Sequence, residues 1–185
     1  MRIIGGSLRG TALASVGRGD KAAHLRPTTD RVRESLFNLL AHGDYPPIEG
    51  ARVLDLFAGT GALGFEALSR GAARALFVDD GAKSRALLRE NTDKLRMIGQ
   101  SKIYRRDATR MGENRGEPYD LVFLDPPYGK GLGETALASC EKGGWLAERA
   151  LIIWEESAAV SLPAGYGLKD QRTYGDTAIT ILQKL

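Results

Sequence analysis

From residue 51 onward, short apolar runs alternate with longer stretches in which apolar residues recur every three or four positions. The short runs predict strands and the longer stretches predict amphipathic helices. The predicted strands are 51–57, 75–79, 102–108, 120–125 and 150–156, and the predicted helices are 61–71, 82–98 and 133–146. Strands that follow one another through helices form a parallel sheet with right-handed crossovers.

Residues 167–185 predict two further strands, joined at Gly175 and Asp176. A joint this short makes the pair antiparallel. The pattern therefore predicts an α/β, Rossmann-like fold with a mostly parallel seven-stranded sheet and an antiparallel C-terminal hairpin. Because no repeat, low-complexity tract or linker divides the chain, we expect a single domain over 1–185, with its Rossmann-like core at 51–185.

A small extension, residues 1–44, precedes this core. Residues 2–13 carry three glycines among short apolar pieces, which predicts two small strands or an extended arm. A helix follows, capped by Thr29 or Asp30, with apolar residues along one face. Its other face is predicted to be polar and to carry Arg31, Arg33 and Glu34.

Positive charge is concentrated in this extension. Residues 1–33 hold seven basic and two acidic side chains, whereas the other 152 residues hold 19 basic and 21 acidic ones. A basic, glycine-containing arm beside a near-neutral body is typical of proteins that bind nucleic acid, since each neutralised phosphate releases counterions. An ordinary solvated surface is the alternative interpretation.

The composition excludes several other classes of protein. No run approaches the roughly 18 apolar residues of a membrane helix, and residues 1–10 lack the apolar segment and cleavage signal of a secretory peptide, so we expect a cytoplasmic protein without membrane contact. Cys140, His24 and His42 do not form a cluster with metal-ligand spacing, so we expect no metal cofactor.

A glycine-rich loop follows the strand at 51–57. Gly59, Gly61 and Gly64 form a G-x-G-x-x-G pattern between a strand and a helix, which predicts a nucleotide-type cofactor at the carboxyl ends of the strands. Asp79 ends the next strand, twenty residues after Gly59. This spacing is typical of a carboxylate that holds ribose hydroxyls.

The glycines alone fit a nicotinamide-dependent oxidoreductase nearly as well as a methyltransferase. Asp55 favours the methyltransferase, because an acid beside the helix N-terminus would repel a pyrophosphate. S-adenosylmethionine has no phosphate and carries an ammonium group that Asp55 can bind directly or through water. A purely structural role as a strand-end cap is the alternative. Asp107, which follows the third apolar run, is placed to reach the adenine amino group.

The strand at 120–125 ends abruptly in Asp125-Pro126-Pro127-Tyr128. An exocyclic base amine is a poor nucleophile, so its methylation depends on positioning the nitrogen and freeing its lone pair. The Asp125 carboxylate and the Pro126 carbonyl can accept the amine protons, while Tyr128 can stack on a base that has been flipped out of its helix. The alternative is a proline-rich strand end with no chemical role.

The segments RIIGGSLRG, LRPTTDRVRESLFNLL, LDLFAGTGALGFEALSRGA, FVDD and VFLDPPYGKG together resemble the bacterial RsmD-type methyltransferases over nearly the whole chain. The resemblance implies a class I methyltransferase fold, with S-adenosylmethionine as donor and S-adenosylhomocysteine as product. It implies a target at the exocyclic N2 of guanine 966 in 16S ribosomal RNA, presented on an assembled or nearly assembled small subunit. We expect a monomer, as suits an enzyme that docks on a large particle.

The resemblance also implies roles for individual residues. The cofactor residues are Asp55, Phe57, Ala58, Gly59, Thr60, Gly61, Asp79, Asp80, Asp107 and Ala108. The catalytic turn is Asp125, Pro126, Pro127 and Tyr128. The RNA-contacting residues are Arg9, Arg26, Arg31 and Arg33. Where the family usually has a glutamate and then a charged pair, this chain has Asp79-Asp80-Gly81, so either acid can hold the ribose.

Two alternatives to this function stay open. A DNA or RNA adenine-N6 methyltransferase uses the same D-P-P-Y turn, although 185 residues leave little room for the extra target-recognition region of such DNA enzymes. A ribosome assembly factor without catalytic activity would bind the subunit and transfer no methyl group.

Overall fold

The computed structural model describes residues 1–15 and 29–185, and the predicted RNA contact Arg26 lies outside them. In chain order the elements are α1 (Asp30–His42), β1 (Arg52–Leu56), α2 (Ala62–Ser69), β2 (Arg74–Val78), α3 (Ala82–Lys94), β3 (Ser101–Tyr104), β4 (Tyr119–Leu124), α4 (Leu132–Lys142), β5 (Leu146–Glu156), β6 (Tyr166–Tyr174) and β7 (Thr177–Lys184). Two 3₁₀ turns, Ile98–Gln100 and Ala108–Arg110, flank β3. Within the described ranges, each helix is too short or too polar to cross a membrane.

The strands form one seven-stranded sheet in the order β3-β2-β1-β4-β5-β7-β6. Neighbours from β3 to β5 are parallel, and β7 is antiparallel to both β5 and β6. The predicted mostly parallel sheet with an antiparallel C-terminal hairpin is therefore confirmed. The strand order reverses between β1 and β4, which is where open α/β sheets bind their ligands.

Helices cover both faces of the sheet. On β1, Val53 belongs to a core that includes Phe37 of α1 and Phe65 of α2, whereas Leu54 belongs to a second core with Leu137 of α4. Burial on both faces explains why the strands are continuous apolar runs. Because strand side chains alternate, Asp55 points to the same face as Val53, toward α2.

Three predicted elements extend too far in the sequence-based assignment. The helix predicted at 133–146 ends at Lys142, and β5 begins at Leu146, four residues before its predicted start. The third strand ends at Tyr104, because Asp107 caps a 3₁₀ turn by accepting the N–H of Thr109 at 2.8 Å. The helix predicted at 82–98 ends at Lys94, and Arg96 adopts a left-handed conformation with φ 56°. The ends of the third strand and of the helix predicted at 82–98 are set by local hydrogen bonds or by backbone conformation. Hydrophobic periodicity does not predict either.

Residues 1–15 form an extended arm that is fastened to α2. The carboxylate of Glu66, which is fully buried, accepts the backbone N–H groups of Ile4 and Gly5 at 2.8 Å each. The same carboxylate accepts the Arg70 Nε–H at 2.8 Å. A buried carboxylate is stable only when it is paired and hydrogen-bonded, and the arm supplies two of the three donors.

The arm also reaches the glycine-rich loop. Asn91 of α3 is buried, and its Oδ1 accepts the Ala14 N–H at 2.7 Å while its Nδ2 donates to the carbonyl oxygens of Ala14 at 3.1 Å and Thr60 at 3.0 Å. One antiparallel bridge, between Arg2 and Ala12, closes the arm on itself. Backbone hydrogen bonds flank this bridge, from the Ile3 N–H to the Thr11 carbonyl oxygen at 2.9 Å and from the Leu13 N–H to the Met1 carbonyl oxygen at 3.1 Å. The arm thus folds back on itself as a very short antiparallel pair, between the two alternatives that the sequence left open.

Arg33 is buried, not exposed on the polar face of α1. Its Nη2 donates to the carbonyl oxygen of Arg2 at 2.6 Å and to Asp30 Oδ1 at 2.7 Å. Burial lowers the pKa of Arg33, and the charges of Asp30 and Glu66 oppose that shift. The structure contradicts the predicted RNA contact for Arg33, because a guanidinium without exposed surface cannot reach a phosphate. Arg33 instead fastens α1 to the arm.

Candidate active site

Acidic side chains follow one another along the carboxyl edge of the sheet. The register pairs Leu56 with Leu124 and Leu124 with Trp154, so that Asp125, just after β4, lies beside Glu155 of β5. From β3 to β5 the acids at this edge are Asp107, Asp79, Asp55, Asp125 and Glu155. The structure therefore brings together the predicted strand-end acids and adds Glu155 to them.

Asp55 caps helix α2 from below. The helix begins after Gly61, which has no side chain for capping, and Asp55 Oδ2 accepts the N–H of Gly64 at 3.0 Å. A Cβ at position 64 would lie 2.9 Å from Asp55 Oδ2 and 2.4 Å from the Phe77 ring, so glycine is required there. The carboxyl occupies the helix N-terminus at which a dinucleotide pyrophosphate would bind, which weighs against an oxidoreductase.

The pKa of Asp55 is far above the ordinary range of an aspartate. Burial raises it to about 8, against the opposing effect of the Gly64 hydrogen bond, and the charge of Asp79 adds to the rise. At neutral pH the carboxyl is therefore mostly protonated. A cationic group placed against it would favour ionisation.

Asp79 holds the glycine-rich loop in place. Its Oδ2 accepts the N–H of Gly59 at 2.9 Å, and its Oδ1 accepts the N–H of Gly81 at 2.8 Å. Burial raises the pKa of Asp79, while these two backbone hydrogen bonds lower it. Asp80 is exposed, so Asp79 is the acid that is built into the loop.

A cavity of about 260 Å³ opens beside this loop. Its lining residues are Phe57, Val78, Asp79, Asp80, Arg106, Asp107, Ala108, Thr109, Pro127 and Leu132. Six of these are predicted site residues, and the four additions are Val78, Arg106, Thr109 and Leu132. The other predicted cofactor residues, Asp55, Ala58, Gly59, Thr60 and Gly61, are absent from this lining and belong to β1 and the loop itself.

One wall of the cavity is rigid. Asp107 Oδ1 accepts the backbone N–H of Thr109 at 2.8 Å and its hydroxyl at 2.6 Å, and the hydroxyl bond lowers the pKa of Asp107. The Arg106 guanidinium lies 4.9 Å from the centre of the Tyr104 ring and donates to the carbonyl oxygen of Met111 at 3.0 Å. These contacts fix the wall before any ligand binds. The sequence did not predict a site role for Arg106, because it lies within the segment predicted as the third strand.

A larger groove, of about 540 Å³, lies at the opposite edge of the sheet. Tyr45, Asp120, Arg149 and Lys169 contribute to its lining. Parallel α/β sheets bind ligands at the carboxyl ends of their strands, where the glycine-rich loop lies. We therefore assign the site to the smaller cavity and its surroundings.

The turn after β4 is tied to the end of β5 at two points. The Tyr128 hydroxyl donates to Glu155 Oε1 at 2.6 Å and lies 3.4 Å from Thr177 Oγ1. The Gly129 N–H donates to Glu156 Oε1 at 3.0 Å. The only sequence signal for this role was a pair of acids at the end of an otherwise apolar run, ALIIWEE.

Asp125 is half-buried at the first position of this turn. Burial raises the pKa of Asp125 well above its usual range, and the neighbouring charges of Glu155, Asp55 and Glu156 raise it further. A group of carboxyls this close together accepts hydrogen bonds and repels anions. The arrangement thus favours an amine or a cation as the reacting partner.

The reversed strand order, the antiparallel β7, the glycine-rich loop and the acidic turn after β4 define a Rossmann-like methyltransferase fold. Comparison with known proteins makes this class more specific. The chain belongs to the family described as Conserved hypothetical protein 95, whose model matches residues 1–183, and the resemblance to RsmD-type methyltransferases is thereby confirmed.

Individual relatives cover the whole chain. It is 41% identical over 188 residues to the Escherichia coli protein named Ribosomal RNA small subunit methyltransferase D, with 100% of this chain and 90% of that protein aligned. A Haemophilus influenzae protein of the same name is 34% identical, with 99% and 93% aligned. The solved structure of yhhF from Escherichia coli matches with a TM-score of 0.84 at 40% identity, covering 100% of this chain and 97% of that one.

Proposed function

We propose that the protein transfers a methyl group from S-adenosylmethionine to the exocyclic N2 of guanine 966 in 16S ribosomal RNA of the small ribosomal subunit. The observation that carries the proposal is the position of the Asp125–Tyr128 turn, at the strand-order reversal and beside the glycine-rich loop. The names of the relatives supply the RNA and the subunit.

The side chains around the loop suit each part of S-adenosylmethionine. Phe57 and Leu132 give the cavity apolar surface for the adenine ring, and Asp107 lies on the same lining to accept from the adenine amine. Asp79 can accept hydrogen bonds from the ribose hydroxyls, because its two backbone hydrogen bonds do not use all the lone pairs of the carboxylate. The carboxylate of Asp55 can pair with the ammonium group of the cofactor. When bound, the cofactor supplies an electrophilic methyl group on a good leaving group.

The turn after β4 would act on the guanine amine. The Asp125 carboxylate and the Pro126 carbonyl accept its two N–H groups, which orients the nitrogen toward the methyl group and frees its lone pair. Pro126 and Pro127 have no N–H groups to compete for these acceptors. As the new N–C bond forms, the nitrogen loses one proton. The Asp125 carboxylate, which accepts one of the amine N–H groups, is placed to receive that proton.

Exposed arginines on the arm and on α1 would contact the RNA. Arg9 and Arg31 are both exposed and both line a groove of about 330 Å³ between these two elements. Their side chains can neutralise phosphates of the RNA. Such contacts would position the protein on the subunit with little preference for the RNA sequence. We propose Arg9, Arg31 and Arg26 as RNA contacts and a monomer as the active form.

Methyl transfer from labelled cofactor tests this function directly. We expect label in undermethylated small subunits or in naked 16S RNA, and nucleoside digestion of the product should yield N2-methylguanosine. Duplex DNA is the control substrate. Label in DNA alone, recovered as N6-methyladenine, would support the adenine enzyme, and subunit binding without any label would support an assembly factor.

Cofactor affinity should depend on pH through Asp55. Its carboxyl is mostly protonated below a pKa of about 8, and pairing with the cofactor ammonium requires the ionised form, so binding releases a proton. We expect affinity to increase with pH by up to about 10-fold per unit below that value. The rise should end near pH 8, where the α-amino group is itself about half deprotonated.

Calorimetry in two buffers of different ionisation enthalpy measures the number of protons released. The Asp55→Asn variant should bind more weakly and lose the pH dependence. An unchanged slope in that variant would assign the proton to another group.

A further inference from the structure

Glu155 is an acid to which the proposed chemistry assigns no contact with cofactor or base. It lies near the end of β5 with 5% of its surface exposed, paired in register with Ile179 of β7. Its Oε1 accepts the Tyr128 hydroxyl at 2.6 Å, a distance typical of a strong hydroxyl-to-carboxylate bond. A carboxyl buried in a strand is costly unless it is hydrogen-bonded, so the bond to Tyr128 holds two side chains at once.

The bond to Glu155 is the shorter of two contacts at the Tyr128 hydroxyl, since the contact with Thr177 Oγ1 is 3.4 Å long. The Tyr128 ring is half-buried. Tyr128 lies between Pro127 and Gly129, and Gly129 has a φ of 70°, which is in the left-handed region. The bond from Gly129 to Glu156 fixes the backbone after the ring, and the bond to Glu155 fixes the far end of the ring itself. The ring thus has one defined orientation before a base arrives.

We propose that Glu155 is a positioning residue that holds the Tyr128 ring ready to stack on the flipped guanine. This inference rests on the proposed function, because the ring needs a fixed orientation only if a base enters the site. A ring ordered in advance loses less conformational freedom when the base binds, which strengthens binding and alignment of the base. Glu155 itself touches the ring and not the substrate.

The test compares variants on each side of the bond. Glu155→Ala and Tyr128→Phe should each lower kcat/KM for the small subunit by about 10-fold, since each removes one hydrogen bond to a carboxyl. The Glu155→Ala/Tyr128→Phe double variant should fall no further than Glu155→Ala, because Glu155→Ala already removes the hydrogen bond that Tyr128→Phe removes. Glu155→Gln retains an acceptor and should recover activity to within about 3-fold of the original protein. The cofactor Kd should not change in any of them.

Tyr166→Phe is a matched control. The Tyr166 hydroxyl donates to Glu141 Oε2 at 2.7 Å, which is the same kind of bond, but Tyr166 pairs with Lys184 at the other end of β7. This variant should keep its kcat/KM even if its melting temperature falls.

The outcomes separate the inference from the proposed function. Three results would overturn the positioning role. They are a loss of kcat/KM in the double variant equal to the product of the two single losses, full activity in Glu155→Ala, and equal losses in Glu155→Ala and Tyr166→Phe. If Glu155→Ala does not fold, the test rests on Tyr128→Phe and Glu155→Gln. Full activity in Tyr128→Phe, or a loss of about 10-fold in Glu155→Gln, also overturns the positioning role. Failure of the original protein to methylate RNA would instead overturn the proposed function.

Discussion

Replacement of Asp125 by alanine is expected to lower kcat for methyl transfer by about 10³-fold, which is the size of effect seen when a group that stabilises the transition state is lost. Asp125 directly follows β4 and lies beside Glu155, at the edge where the guanine amine would enter. Without its carboxylate, the amine loses both an orienting acceptor and a group to receive its proton. Single-turnover assays with saturating cofactor and small subunits measure the change.

Cofactor binding should survive this substitution, with a Kd within about 3-fold of the original value, because Asp125 does not line the cofactor cavity. Asp125→Asn should be nearly as inactive, since an amide is not ionised and presents an N–H donor to the amine. Asp120→Ala is a control on the same strand: Asp120 pairs with Arg52 at 3.1 Å, so its loss should affect stability and not kcat. Equal losses of transfer and cofactor binding in Asp125→Ala would make Asp125 a cofactor residue.

Replacement of Glu66 by alanine is expected to lower the free energy of unfolding by about 3 to 5 kcal/mol, the range for breaking a buried charge pair. The side chain is fully buried and accepts hydrogen bonds from Ile4, Gly5 and Arg70. Its removal leaves these donors without their acceptor. At this chain length the melting temperature should fall by roughly 10 °C, which calorimetry or chemical denaturation can measure.

Glu117→Ala is the matched control for this prediction. Glu117 also pairs with two arginines, Arg52 at 3.4 Å and Arg74, but its side chain is 62% exposed. Solvent-exposed pairs contribute about 0 to 1 kcal/mol, so this variant should melt close to the original protein. Similar melting temperatures for Glu66→Ala and Glu117→Ala would show that the arm contributes little to stability.

The alternation of strands and helices made the sheet predictable, because it is a local pattern in which each apolar run has its own boundaries. The acids at the ends of the runs could be placed for the same reason: parallel strands bring their carboxyl ends to one edge. Asp55, Asp79 and Asp125 were found in this way without knowledge of any contact between them.

Residues whose roles depend on distant partners could not be predicted. Arg33 has the spacing of a polar face, yet the arm covers it and the carbonyl oxygen of Arg2 receives its hydrogen bond. Glu66 looks like a surface residue in a short helix until residues 1–15 are placed over it. Glu155 gains its role from Tyr128, 27 positions earlier. In each case the deciding contact joins segments that the sequence separates.

The docking of the arm also sets an order of events during synthesis of the chain. Residues 4 and 14 find their partners 62 and 77 positions later, at Glu66 and Asn91. The arm is translated before both of these partners, so it has nothing to dock on until α2 and α3 have emerged and folded against the sheet. The arm therefore reaches its final place only after residue 91 has been made, although its own residues are made before those of α2 and α3.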